Sequence, residues 1–251
     1  MTTKSVQLAA GWMYYLEGGR GRNLLFLHGG IATAEAYIPL LELLSRTYHV
    51  VAPIHPGHGK TFALSHGWKL RDYVLCYQDF FADIGFVPDI LIGHSFGGML
   101  ALVLASRGTG KMVIAMDPPG LTFRIDSTRY IKALAQEGRD VLRERSDRKQ
   151  HAMVKAAGTI METLIRHPGD ISFLTSVGPK YTIASQVKKI TVPTYVLWGE
   201  NDEIVPVETG RRLEKLIPGA RLTVFPGRGH NYSVTDPEFT YKQLASILTH
   251  P

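Results

Sequence analysis

The sequence predicts an α/β protein: a mostly parallel central sheet with helices on both faces and one helical insertion acting as a lid. Three observations lead there. Short apolar runs of strand length alternate with longer segments of helical period, the pattern of strands joined by crossover helices. At 251 residues with 45% hydrophobic side chains, the chain is long enough for one sizeable core and too short to need two. The alternation also breaks only once, between Leu121 and about Gln186, where amphipathic helices follow one another with no strand between them.

The elements follow in order. Ser5–Ala9 and Met13–Glu17 read as a leading antiparallel hairpin. Buried strands are expected at Asn23–Leu27, His49–Ala52, Asp89–Ile92, Met112–Met116, Thr194–Leu197 and Arg221–Phe225, each too short and too apolar to be a helix of its own. Helices are expected at Ala34–Leu44, Leu70–Ile84, Gly97–Ser106, Glu208–Leu216 and Pro237–Leu248. The last begins with Asp236 as N-cap and proline in the first turn. The insertion holds three more, Ser127–Arg145, Lys149–Arg166 and Asp170–Leu174. The expected division is a core of residues 1–120 and 187–251 with a helical cap of residues 121–186, placed above the carboxyl edge of the sheet, where open α/β sheets bind ligands.

Composition removes several classes. Cys76 is the only cysteine, so no intramolecular disulfide framework exists, and its helical surroundings suit a small buried hydrophobe. The first residues lack the apolar run of a secretory signal, and the longest such run, Met99–Ala105, is too short for a bilayer. A cytoplasmic location without membrane association is therefore expected. The net charge of +6 resides in the insertion, where residues 120–189 hold thirteen Lys and Arg against seven Asp and Glu. These charges interleave, as in the run from Gly138 to Lys149, within which no aromatic residue stands. That is a solvated helix face laced with ion pairs, so no nucleic-acid partner is expected.

Chemistry concentrates in the loops after the expected strands. Gly93-His94-Ser95-Phe96-Gly97-Gly98 follows one strand and opens a helix, the context a nucleophilic serine needs on a tight strand-to-helix turn. The Phe96 amide then lies at a helix N-terminus, suited to an oxyanion. Gly30 in His28-Gly29-Gly30 is the candidate second donor, with Ile31 as the alternative, and His28 is read as a hydrogen-bonded structural residue. A serine needs a base and the base an orienting carboxylate. His230 follows the strand Arg221–Phe225, and Asp202 follows Thr194–Leu197. Asp117, at the end of Met112–Met116, is the rival orienter; the reading adopted is that it shapes the entrance beneath the cap. Ile31, Leu121, Phe123 and Val205, with Ile204 and Tyr232 nearby, are expected to wall a largely apolar acyl site. No His, Cys and carboxylate cluster at ligand spacing points to a metal, and no cofactor is expected.

These blocks resemble the α/β-hydrolase superfamily over nearly the whole chain: LLFLHGG, VVAPIHPGHGKT, LIGHSFGGMLAL, VPTYVLWGENDEIVP and FPGRGHNYSVTDPEF stand in the family's order. The resemblance implies the α/β-hydrolase fold, a triad of Ser95, Asp202 and His230, and a cap at the family's usual insertion point. One block departs from the pattern, with Ile54 and His55 where many relatives have an aspartate followed by an apolar residue or arginine. His55 is read as a surface or hydrogen-bonded loop residue, with a pocket-facing role as the alternative. The implied activity is hydrolysis of a small or medium carboxylic ester through an acyl-enzyme. Carbon–carbon bond hydrolysis of a diketone-like substrate, and ligand binding without turnover on the same scaffold, are the alternatives.

Overall fold

The computed structural model describes residues 1–30, 32–64, 68–122, 154, 157–159, 161–163, 165–166 and 182–249. The chain opens on a hairpin in which β1 (Thr2–Leu8) pairs antiparallel with β2 (Gly11–Gly18). Both strands start earlier than their side chains alone suggest, because cross-strand pairing recruits flanking residues of weak strand character. β2 also pairs antiparallel with β4 (His49–Pro53). Beyond that edge every pairing is parallel, through β3 (Asn23–Leu27), β5 (Ile90–His94), β6 (Met112–Met116), β7 (Thr194–Gly199) and β8 (Arg221–Phe225). The eight strands stand in the order β1-β2-β4-β3-β5-β6-β7-β8. The expected fold class, α/β with a mostly parallel sheet, is the one observed.

Because successive strand residues face opposite sides, the sheet divides the core in two. Leu24, Phe26, Ile90, Ile92 and Ile114 pack with α1 (Ile38–Leu44) and with the helix Pro237–Thr249. Leu25, Leu27, Leu91, Val113 and Val196 pack with α2 (Leu70–Asp83) and α3 (Phe96–Ala105). The central strands are buried on both faces, which is why they read as continuous apolar runs rather than alternating ones. Each fully buried Leu, Ile or Val contributes about 1.5–3 kcal/mol. Every residue of α3 is buried, so it is the central layer on its face, whereas the helix Val207–Leu216 buries only Thr209, Gly210 and Leu213.

The helix expected at Ala34–Leu44 begins as a 3-10 turn over Ala34–Tyr37, and α1 proper follows with Pro39 in its first turn. Asp236 does cap the last helix: its Oδ1 accepts from the Phe239 amide at 3.3 Å. Cys76 lies buried in α2, and burial pushes its thiol up to about 12. In the insertion, residues 154, 157–159, 161–163 and 165–166 are helical, within the expected Lys149–Arg166. The expected helices Ser127–Arg145 and Asp170–Leu174 lie outside the described residues. Among the described residues, insertion and core are tied by the Gly59 amide donating to Thr163 Oγ1 at 3.3 Å, the Ile183 amide donating to Gly120 O at 2.7 Å and Arg212 Nη1 donating to Thr122 O at 2.9 Å. Among the described residues no helix is long and apolar enough to cross a membrane.

Candidate active site

Ser95 sits between β5 and α3 at φ 51°, in the left-handed region that few non-glycine residues adopt. The strain is held by hydrogen bonds on both sides: the Ser95 amide donates to Met116 O at 2.8 Å, and Ser95 O accepts from the Met99 amide at 3.0 Å. The turn is so tight that a Cβ at Gly93 would collide with Gly97 O, and one at Gly97 with Leu27 O and His28 O. Glycine at both positions is therefore a steric requirement of the turn. Ser95 itself is half-buried, while Phe96 starts the helix, where first-turn amides have no intrahelical acceptor.

The loops after β7 and β8 meet directly. His230 Nδ1 lies 2.7 Å from Asp202 Oδ2, and both side chains are almost fully buried. Asp202 Oδ1 accepts from the amides of Ile204 and Val205, each at 2.8 Å, so the carboxylate is fixed before it orients anything. With Nδ1–H donated to Asp202, Nε2 is the acceptor nitrogen of the ring. The residue before Ser95 anchors this loop: His94 Nε2–H donates to His230 O at 2.8 Å. Its Nδ1 accepts from Tyr37 OH at 2.7 Å, and Tyr37 OH in turn accepts from the Gly29 amide at 3.2 Å. Burial first, then the neighbouring His230, pushes His94 down to about 3, so it is a neutral strut. One chain of hydrogen bonds thus links the loops after β3, β5 and β8.

Asp117 lies in the interior, not at an entrance, which corrects the expectation drawn from its place at a strand end. It is fully buried at φ 46°, and Oδ1 accepts from the Gly199 amide at 2.8 Å. Among the described residues its Oδ2 has no hydrogen-bond partner, and neither has Tyr232 OH; burial first, then the neighbouring Asp117, raises the Tyr232 hydroxyl well above its ordinary value. Burial above all, then the charge of Asp202, raises the Asp117 carboxyl well above the usual aspartate range. The 4.0 Å from His94 Nε2 to Asp117 Oδ2 joins two neutral groups and is not an ion pair.

The segment His28–Gly30 is pinned by imidazoles. His28 Nδ1–H donates to Gly29 O at 2.7 Å, His55 Nε2–H to His28 O at 2.8 Å, and His58 Nε2–H to Gly30 O at 2.8 Å. His28, as expected, is a buried hydrogen-bonded residue; His55 is hydrogen-bonded through both ring nitrogens but buried, not at the surface. A Cβ placed on Gly30 would lie 3.2 Å from Phe96 Cβ, so the two candidate oxyanion residues converge. Ile31 and Phe123 lie outside the described residues. Leu121 and Val205 are buried in the apolar cluster that contains Trp198, whose Nε1–H donates to Val205 O at 3.1 Å. Glu200 and Glu203 are exposed.

His94, Asp117 and His230 bring a nitrogen or a carboxylate oxygen within 4.8 Å of one another. Both ring nitrogens of His94 are engaged in hydrogen bonds, so ligation there would dismantle the strut between loops. Sequence reasoning missed His94, Tyr37 and Tyr77 as parts of the site. Position two of the G-x-S-x-G motif carried a signal for His94; nothing local marked the tyrosines, which reach the site from helices far along the chain.

Comparison with known proteins agrees with this architecture. Residues 24–243 match the family described as "Alpha/beta hydrolase family". Among characterised sequences, a non-heme haloperoxidase from Rhodococcus erythropolis is 26% identical, the match covering 94% of this chain and 95% of that one. A 2-hydroxy-6-oxo-6-(2'-aminophenyl)hexa-2,4-dienoic acid hydrolase from Metapseudomonas resinovorans is 27% identical, covering 94% and 87%. Among solved structures, a serine hydrolase involved in carbazole degradation superposes with a TM-score of 0.82 at 22% identity, covering 100% of this chain and 99% of that one. The carboxylesterase CesB of Bacillus subtilis gives 0.79 at 19%, covering 98% and 91%.

Proposed function

Taking as given that the chain belongs to the alpha/beta hydrolase family, we propose that it is a serine hydrolase that cleaves a small or medium carboxylic ester through an acyl-enzyme. The observation that carries the reading is the buried 2.7 Å contact of His230 Nδ1 with Asp202, tied through His94 to the strained turn bearing Ser95. In the proposed sequence, Ser95 Oγ attacks the ester carbonyl as His230 Nε2 takes its proton. The Gly30 and Phe96 amides receive the oxyanion. The tetrahedral intermediate expels the alcohol, which takes the proton from His230. Water, deprotonated by the same nitrogen, then releases the acid and regenerates Ser95. We assign the acyl wall to Ile31, Leu121, Phe123 and Val205, and the role of lid to residues 121–186. Nothing in this reaction requires a cofactor, a metal or a macromolecular partner.

Hydrolysis of a carbon–carbon bond is the second reading, favoured by the similarity to the dienoic acid hydrolase of Metapseudomonas resinovorans. Assaying a panel of p-nitrophenyl esters beside a vinylogous diketone separates the two. The shared chemistry is tested with a fluorophosphonate. The expected adduct is on Ser95, and Ser95→Ala should lower kcat about 10³- to 10⁶-fold. A Ser95→Ala enzyme as fast as the wild type would refute the mechanism.

A further inference from the structure

We infer that His55 is a positioning residue that holds the oxyanion-binding segment in register, with Tyr77 fixing its tautomer. The inference rests on the proposed serine mechanism. It concerns one of the two positions at which the chain departs from the family pattern.

The geometry assigns every proton in the relay. The His55 amide donates to His28 Nε2 at 2.9 Å, so Nε2 is the acceptor of that ring and Nδ1 carries the hydrogen given to Gly29 O. His55 Nε2 faces a carbonyl, His28 O, and must be the protonated nitrogen. His55 Nδ1 is then an acceptor, and the group bonded to it is the hydroxyl of Tyr77. A donor is what this position requires, and the Tyr77 hydroxyl supplies one; an acceptor there would force the proton onto Nδ1 and break the bond to His28 O.

The relay acts on three consecutive residues. His28 O and Gly29 O each receive an imidazole N–H from within it, and Gly30 O receives another from His58. The Gly29 amide is taken by Tyr37 OH. What remains is the Gly30 amide, which has no acceptor among the described residues. Three fixed carbonyls determine the planes of the peptides around it, and so its direction. His55 also touches the other proposed donor: its ring meets that of Phe96 edge to face, 5.5 Å between centroids. It stacks on His28 at 3.8 Å. All three rings of the relay are fully buried. Burial, with the neighbouring histidine as a second cause, holds His55 at about 3, and burial raises Tyr77 well above its ordinary value, so the assigned protons stay in place through the neutral pH range.

A preorganised donor acts on the transition state and not on the ground state, which gives the test its readout. The wild type, His55→Leu, His55→Gln and Tyr77→Phe are compared for kcat and KM on p-nitrophenyl butyrate. The inhibition constant of an alkylboronic acid, which forms a tetrahedral adduct on the serine, is measured alongside. His55→Leu should lower kcat about 10- to 100-fold with KM within about twofold, and weaken the boronate by a similar factor. His55→Gln, whose amide N–H can still reach His28 O, should recover to within about threefold of the wild type, and Tyr77→Phe should lose about threefold.

A folded His55→Leu enzyme with unchanged kcat and boronate affinity overturns the inference, as does a fall in kcat with no change toward the boronate. If His55→Leu does not fold, Tyr77→Phe decides, and wild-type values for both quantities count against it. Labelling of Ser95 by fluorophosphonate in the wild type separates this outcome from failure of the mechanism itself. A labelled, active wild type with indifferent variants sinks only the relay, whereas an unlabelled, inactive wild type sinks the serine reading beneath it.

Discussion

The loops after β6 and β7 each deliver an aspartate to the same buried region, and the two carboxyls meet opposite circumstances. Asp202 accepts three hydrogen bonds, from the Ile204 and Val205 amides and from His230. Among the described residues Asp117 accepts one, from Gly199, and its other oxygen has none. Adjacent strand ends, the same residue type and similar burial therefore yield one carboxylate built to hold an imidazole and one acid driven to keep its proton. Donor supply decides the role. The loop after β7 turns so that two amides point inward at Asp202, whereas Asp117 meets the single amide of Gly199 and the neighbouring charge of Asp202.

The sharpest way to break this contrast is Asp202→Asn. With no acceptor opposite Nδ1, His230 loses its tautomer, and kcat on an activated ester should fall about 10³- to 10⁴-fold. A loss under tenfold would mean that Asp117 takes over the imidazole. Next in size is the acid limb of stability. His55 and His94 are held at about 3 against an ordinary 6.5, so the unfolded chain binds protons that the folded one refuses. Each should remove ~1.4 kcal/mol of stability per pH unit as pH falls below 6.5, read from urea midpoints between pH 7 and 5. A midpoint flat over that range would show that these imidazoles are protonated in the fold.

Asp117 predicts the opposite slope. Its raised value means that the folded state keeps a proton the unfolded state has released. Its contribution is therefore complete below 3.8 and declines by ~1.4 kcal/mol per pH unit as pH rises toward the folded value. Asp117→Asn keeps the acceptor for Gly199, so it should abolish that decline and raise the urea midpoint at pH 8, with kcat reduced less than tenfold. Equal slopes in variant and wild type would place a charge on Asp117. The smallest effect is expected from Tyr232→Phe, which deletes a buried hydroxyl without a hydrogen bond among the described residues: stability unchanged or up by less than about 1 kcal/mol, and kcat within about twofold. A loss of several kcal/mol would reveal a working bond between Tyr232 and Asp117.

Much of the fold was legible because its signals are local. β3 and β8 fall at the expected bounds, β3 as a nearly unbroken apolar run of five and β8 as an alternating one between turn residues, although β8 is a half-exposed edge strand and not the buried strand expected. The elbow was legible for the same reason: glycines at 93 and 97 answer to atoms within a few residues or on the adjoining strand. Asp202 and His230 were legible as loop positions after β7 and β8. Asp117 was misjudged because a strand end faces either solvent or interior, and the choice depends on what the insertion and the neighbouring loops cover.

The amino-acid order alone determined where strands, helices and the strained serine turn fall, because backbone sterics and apolar period act over a few residues. It also determined that the chemical groups gather at the carboxyl ends of parallel strands. Only the tertiary structure decided which aspartate holds His230, that His94 braces one loop against another, and that Tyr77 sets the tautomer of His55. Those choices depend on hydrogen-bond partners 22 to 136 residues apart, whose mutual orientation no local propensity encodes.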